Sequence, residues 1–224
     1  MSIPGLILLR HGEVVSHRGD LPLTREGRGQ AEQAGRRLAQ HRGARVWIVV
    51  GPTLRAQQTG LILLHGLTGA DSSREVTGPA ATAALRNPDL YLAGHRVDMV
   101  STATAFADQV PWVTEAQVTG IAFYQDFLTS PDRIGCWLHH ANPPGDNAAT
   151  VASRIRQFAA SLRHVDGADL VVGITQSPVL RAVGSYYAGT DPGEPSYLHG
   201  YRVRVGSDGA LALSSVDWKG ADPT

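Results

Sequence analysis

An arginine and a histidine directly follow the first apolar run of the chain, at residues 6–13 (LILLRHGE). An unbroken apolar run is typical of a strand buried on both faces of a parallel sheet. Such a strand delivers Arg10 and His11 to the sheet's carboxyl edge, where open α/β sheets bind ligands. Gly12 lets the backbone turn so that an anion can come close. On its own, an Arg-His-Gly triplet such as residues 10–12 more often marks a strand end with a surface histidine. Whether it marks an anion site therefore depends on the rest of the chain.

Two later apolar runs, 45–50 and 169–175, end in polar residues in the same way. Arg55 follows the first, in the first turn of a helix that Thr53 can cap, and Gln176 follows the second. Because carboxyl ends of parallel strands share one edge, we expect these side chains to converge with Arg10 and His11 on one pocket. Two arginines and a helix N-terminus around an imidazole suit a phosphate better than a carboxylate.

The elements that position these residues alternate between strand and helix. We predict strands over 6–9, 45–50, 74–77, 169–175, 201–205 and 211–213, and helices from Thr24 to about residue 40, from 54 to about 64, over 147–164 and from 176 to about 187. Residues 66–73 are predicted as a loop. This order indicates an α/β fold, a three-layer αβα sandwich with a mostly parallel central sheet.

Residues 90–145 interrupt the alternation, with helical patterns over 103–110 and 115–128. We expect a helical insertion that covers the strands' carboxyl edge, a typical place for a substrate lid. No composition shift marks a second domain, so residues 1–224 are predicted to form one.

Composition excludes several classes of partner. Lys plus Arg and Asp plus Glu both number 20 among 224 residues, so we expect neither nucleic acid nor membrane to be attracted by bulk charge. Apolar runs fall short of the roughly 18 residues that a membrane helix needs. Cys136 is the only cysteine, which rules out an internal disulfide and favours a reducing compartment. A soluble, cytoplasmic protein is expected, and the sequence leaves its oligomeric state, including a homodimer, open.

Three motifs in order resemble those of the histidine phosphatase superfamily, also called phosphoglycerate mutase-like: LRHGE at 9–13, LTREG at 23–27 followed by Gln-Ala at 30–31, and GPTLRAQQT at 51–59. The resemblance implies that His11 attacks phosphorus to form a phosphohistidine, which water then hydrolyses. Arg10 and Arg55 would hold the phosphoryl oxygens and stabilise the transition state. The substrate would be a small, anionic, phosphorylated metabolite, and no organic cofactor is implied.

The family also needs an acid that protonates the leaving oxygen. It usually places an Asp or Glu well after the second arginine, and Asp89 is our candidate, with Asp98 and Glu75 as weaker ones. The alternative for Asp89 is a turn residue after Pro88.

Five further residues are expected to contact substrate: Gly12, Glu13, His17, Leu23 and Ser177. His17 stands where mutase-like members often have Asn, and it lines the pocket or is a solvated loop residue.

Gln176 departs from the family, which normally has a second histidine there. Gln donates a neutral hydrogen bond but carries no charge and transfers no proton. The preferred interpretation is a phosphatase-type hydrolase weakened by this change. The alternative is a repurposed non-phosphatase enzyme, or a silent binding protein, that uses the pocket for an acidic metabolite. A mutase is disfavoured, because the signatures of a bisphosphate site are not visible.

Cys136, His139 and His140 raise the question of zinc. Four ligands at suitable spacing are absent, and Trp137-Leu138 between them indicates packing. We therefore predict no metal and place these residues in the insertion.

Overall fold

The computed structural model describes residues 4–41, 45–206 and 209–216. Six strands form one mixed sheet: β1 (Gly5–Arg10), β2 (Arg45–Val50), β3 (Glu75–Ala81), β6 (Leu170–Thr175), β7 (Gly200–Val205) and β8 (Leu211–Val216). Their order is β3-β2-β6-β1-β7-β8. The first four are parallel, and β7 and β8 pair antiparallel at one edge.

Helices cover both faces of this sheet. On one face lie α1 (Arg25–Leu38) and α2 (Leu54–Ala70), and on the other lie α7 (Ala148–Ser161) and α8 (Ser177–Ala188). The predicted three-layer α/β fold is confirmed. Within the described ranges, no helix is both long and apolar enough to cross a membrane.

The first strand shows why an apolar run without polar breaks forms here. Leu6 and Leu8 pack into the core beside α7 and α8, whereas Ile7 and Leu9 pack into a second core beside α1 and α2. All four side chains are buried. Successive residues of a strand point to opposite faces, so a central strand with helices on both sides must be apolar at every position.

The second helix is longer than predicted. Instead of ending near residue 64 before a loop, α2 continues to Ala70, and Gly66 lies within it. A Cβ at Gly66 would lie 2.3 Å from the carbonyl oxygen of Glu32 in α1, and one at Gly35 would lie 2.2 Å from that of Leu63. These glycines allow the two helices to pack closely, so Gly66 marks a helix contact rather than a helix end.

The insertion contains a hairpin, β4 (Leu90–Leu92) with β5 (His95–Val97), and four short helices: α3 (Ala103–Ala107), α4 (Glu115–Thr119), α5 (Ala122–Thr129) and α6 (Arg133–His139). The helix predicted over 115–128 is broken after Gly120, which ends α4. Neither α6 nor the hairpin was predicted. Buried Phe106, Tyr124, Phe127 and Trp137 join the core beside α7 and α8, which fixes the insertion to the sheet.

Candidate active site

Three strands end side by side at the carboxyl edge of the sheet, since Leu9 of β1 and Val50 of β2 both pair with Ile174 of β6. Just beyond these pairs, the structure brings together Arg10, His11, Arg55 and Gln176. They line one cavity of about 420 Å³. The strand order therefore produces the convergence that the sequence predicts.

His11 is held as a neutral imidazole. Its Nδ1 lies 2.7 Å from the Gly12 carbonyl oxygen, which can only accept, so Nδ1 carries the proton and Nε2 keeps a free lone pair. Burial lowers the pKa of His11 to about 2, helped by the positive charges of Arg55 and Arg10. The side chain is 1% exposed. Its nitrogen at Nε2 is thus in the nucleophilic form throughout the physiological pH range.

The guanidinium of Arg10 is fixed from several sides. Nη1 donates to the carbonyl of Pro195, and Nη2 lies 2.8 Å from the Glu194 carboxylate. Its carbon stacks 4.2 Å from the centre of the Tyr197 ring, a cation–π contact. Nε is buried and has no hydrogen-bond partner among the described residues. Burial lowers the pKa of Arg10, opposed by Glu194, but an arginine remains a cation.

Gln176 orients the second arginine. Arg55 Nε donates to Gln176 Oε1 at 3.0 Å, and Gln176 Nε2 donates to Thr53 Oγ1 at 2.7 Å. Because an arginine Nε can only donate, this contact also determines which amide atom is the oxygen. Thr53 precedes α2 as predicted, but its side chain does not cap the helix. Asp20 does so instead, accepting from the Leu54 amide at 2.8 Å.

Two of the five predicted substrate contacts line the cavity. The ring of His17 lies 6.0 Å from that of His11, centre to centre. Burial, followed by Arg10 and Arg55, lowers the pKa of His17. Ser177 also lines the cavity, and its hydroxyl donates to Glu194 at 2.5 Å.

Gly12, Glu13 and Leu23 are not among the residues that line this cavity. Their backbone amides each donate to a motif side chain: to Thr59 from Gly12, to Gln30 from Glu13, and to Gln58 from Leu23. The Thr24 hydroxyl donates to the Glu13 carboxylate at 2.9 Å. The three motifs therefore hold each other in place and fix the loop that follows His11.

The structure does not bring Asp89 into the cavity. Its carboxylate accepts from Arg86 Nη2 at 2.7 Å and from Arg96 Nε at 2.5 Å. Partial burial raises the pKa of Asp89, but these two arginines outweigh it, so the net pKa is lowered. A carboxylate clamped in its ionised form is poorly suited to donate a proton.

The two weaker acid candidates lie elsewhere. Glu75 lies next to Arg45 in the strand register, at the first residues of β3 and β2. These amino ends of the strands are at the opposite end of the sheet from His11. Asp98 lines a second cavity that shares Arg55 and Asn87 with the first, and its carboxylate is 3.2 Å from Arg96.

Asn87 is the main site residue that the sequence interpretation missed. It is 7% exposed, it lines both cavities, and its Oδ1 is buried without a partner in the described structure. The signal that could have found it is its place just after β3, a fourth parallel strand that ends at the same edge. The insertion contributes much of the remaining wall, including the apolar side chains of Met99, Val100, Phe127 and Ile134 and the charged side chains of Asp132 and Arg133.

The cysteine and histidines of the insertion do not converge. Cys136 packs against the core, His139 lies 3.7 Å from Asp191, and His140 packs edge-on against Phe123. Within residues 4–41, 45–206 and 209–216, no group of three or more His, Cys, Asp or Glu is arranged to hold a metal ion.

Comparison with known proteins adds sequence evidence to this geometry. The family model described as histidine phosphatase superfamily (branch 1) matches residues 6–73, which include the three motifs. The resemblance to the histidine phosphatase superfamily is confirmed. A comparison with curated proteins finds no match.

Solved structures of the superfamily share the fold over nearly the whole chain. Mycobacterial glucosyl-3-phosphoglycerate phosphatase, in complex with VO3, is 20% identical with a TM-score of 0.58, over 94% of this chain and 97% of that one. A putative alpha-ribazole-5'-P phosphatase from Escherichia coli is 16% identical with a TM-score of 0.57, over 96% and 97%. Phosphoglycerate mutase from Bacillus anthracis is 14% identical with a TM-score of 0.59, over 96% and 94%. At these identities the likeness shows the fold alone.

Proposed function

We propose that this protein is a phosphatase-type hydrolase that cleaves a small phosphomonoester through a phosphohistidine at His11. The observation that carries the proposal is the neutral, buried imidazole, whose Nδ1 donates to the Gly12 carbonyl and whose Nε2 keeps its lone pair in a cavity that Arg10 and Arg55 also line. A site built to bind an anion would not need a nucleophile in this form. On this basis we assign His11 as the nucleophile and Arg10 and Arg55 as the groups that bind the phosphoryl oxygens.

The reaction has two steps. Nε2 of His11 attacks phosphorus, the bond to the leaving oxygen breaks, and its electron pair leaves with that oxygen. The imidazole then carries the phosphoryl group on Nε2 and keeps its proton on Nδ1, where the Gly12 carbonyl stabilises the positive ring. Water attacks the phosphohistidine, the N–P electron pair returns to Nε2, and both protons of the water leave on the product as dihydrogen phosphate. Arg10 and Arg55 bind the phosphoryl oxygens in both steps.

Two of the similar structures are a glucosyl-3-phosphoglycerate phosphatase and a putative alpha-ribazole-5'-P phosphatase, which are named for phosphorylated metabolites. This supports a phosphorylated metabolite as the class of substrate here. A cavity of about 420 Å³ with a largely apolar wall has the size and character typical of a small-molecule site.

The test is to incubate the purified protein with p-nitrophenyl phosphate and to measure both nitrophenol release and the covalent phosphoryl adduct by intact mass. We expect turnover and a trapped adduct that His11→Asn abolishes. His65→Asn, which removes an exposed histidine on α2, is the matched control and should keep both.

Three outcomes are informative. Turnover without any adduct on His11 would refute the phosphohistidine. Full activity in His11→Asn would refute the nucleophile. Binding of phosphate with neither adduct nor turnover would favour the second candidate, a repurposed or silent anion-binding protein, which the amides Asn87 and Gln176 in the cavity wall also suit.

A further inference from the structure

The carboxylates that line the His11 cavity are both bound as acceptors. Asp132 accepts from Arg181 Nη1 at 2.6 Å and from Nη2 at 2.7 Å, and these bonds lower its pKa to about 2. Glu194 accepts from Arg10 at 2.8 Å on one oxygen and from Ser177 at 2.5 Å on the other. Neither carboxyl group is arranged to carry a proton to a ligand.

The other polar groups that line the cavity do not supply a proton in place of the two carboxyl groups. Asn87 and Gln176 are amides, which do not titrate, and Gln176 already bridges Arg55 and Thr53. Burial and the nearby arginines lower the pKa of His17, which disfavours the protonated ring. Hydroxyl and guanidinium groups keep their protons in this range. The cavity therefore pairs a nucleophile and three arginines, Arg10, Arg55 and Arg133, with no group that is arranged to transfer a proton to a leaving oxygen, among the described residues that line it.

We infer that the site expels its leaving group as an unprotonated anion, so that its substrates are acyl phosphates, aryl phosphates or phosphoanhydrides rather than alkyl phosphate esters. This inference rests on the proposed function: among phosphomonoesters it keeps those with an acidic leaving group, such as aryl esters, and it adds the phosphoric anhydrides. The P–O bond breaks with both electrons on the leaving oxygen, and no proton moves from the protein. A carboxylate, phenolate or phosphate leaves readily in this way, whereas an alkoxide does not.

Asn87 marks the place where an acid could be installed. Its Oδ1 is buried with no partner in the described part of the chain, and the residue borders both cavities. Asn87→Asp has almost the same shape, and burial favours the protonated form of the new carboxyl group. A positioned general acid contributes roughly 10²- to 10⁴-fold.

The experiment measures kcat/KM for a series of aryl phosphates of graded phenol acidity and for one alkyl phosphate. The ratio kcat/KM is used because it reports the step that forms the phosphohistidine. We expect a steep fall in kcat/KM as the phenol becomes less acidic, and no measurable turnover of the alkyl ester. In Asn87→Asp we expect a shallower dependence, and alkyl ester turnover at least about tenfold above the detection limit of the assay, which is below the full contribution of a general acid.

Asp98→Asn is the matched control, because Asp98 lies in the adjoining cavity and could act from there. The inference predicts an unchanged dependence on the leaving group in this variant. A shallow dependence in the unmodified protein, or one that steepens in Asp98→Asn, would overturn the inference and leave the proposed function standing. No adduct or turnover with any member of the series would overturn both. If Asn87→Asp does not fold, the slope of the unmodified protein still decides.

Discussion

The neutral state of His11 predicts how the stability of the fold depends on pH. The pKa of His11 is about 2 in the folded chain, against roughly 6.5 for an exposed histidine in the unfolded chain. Between these values the unfolded chain binds the extra proton, so the free energy of unfolding rises with pH. The stability that depends on the neutral imidazole is fully present above about pH 6.5, and it is lost as the pH falls towards the pKa of His11 in the folded chain.

The size of the effect follows from the two pKa values. One extra proton bound by the unfolded chain lowers the free energy of unfolding by about 1.4 kcal/mol for each pH unit within the window. Between pH 8 and pH 4.5, His11 alone should therefore account for about 3 kcal/mol. Carboxylates and His17 add their own dependence, so the quantity to compare is the difference between two proteins that differ only at His11.

The assay is urea unfolding of the unmodified protein and of His11→Asn at pH 8, 6 and 4.5, in buffers without phosphate. Asn places an N–H close to where Nδ1–H donates to Gly12, so the variant keeps that contact and loses only the titration. We expect the unmodified protein to lose about 3 kcal/mol more than the variant over this range. Parallel curves for the two proteins would refute the neutral imidazole, and with it the argument for Nε2 as nucleophile.

Three further variants test the packing and the anion site. Arg55→Gln should weaken binding of inorganic phosphate by about 1.5–3 kcal/mol in calorimetry. Arg45→Gln, at an exposed residue at the opposite end of the strands, should leave that affinity unchanged. Equal effects of the two variants would show that phosphate does not bind at Arg55. Gln176→Leu should weaken phosphate binding by about 1 kcal/mol, because Arg55 loses its acceptor. In the double variant with Arg55→Gln, it should cause no further loss of phosphate affinity. Additive losses would show that Gln176 does not act through Arg55. Gly35→Ala should lower the free energy of unfolding in urea by about 1–3 kcal/mol. Gly29→Ala, whose added methyl group meets open space in the same helix, should raise it by about 0.5–1 kcal/mol. Similar changes in the free energy of unfolding for the two variants would refute the close packing of α1 and α2.

The parts of the fold that the sequence predicts well are those in which local pattern and burial agree. The runs at 6–9, 45–50 and 169–175 are apolar throughout, because helices cover both faces of the central strands. The first long helix was predicted to begin at Thr24, and Thr24 caps α1 because its hydroxyl accepts from the Gly27 amide. Elements that depend on distant contacts were predicted less well. Gly66 resembles a helix end, and only the approach of α1 shows that it is a contact surface.

The sequence by itself determined which polar residues meet at the sheet edge. The polar residues that end β1 and β6, and the first turn of α2, had to meet, because parallel strands place their carboxyl ends together. Only the tertiary structure decided which groups are free to react there. Asp89 is excluded by Arg86 and Arg96, Gln176 is committed to Arg55, and Asn87 is left facing the cavity. The physical reason is that a side chain's protonation and availability depend on the partners that fold around it, and those partners come from distant parts of the chain as well as from near neighbours.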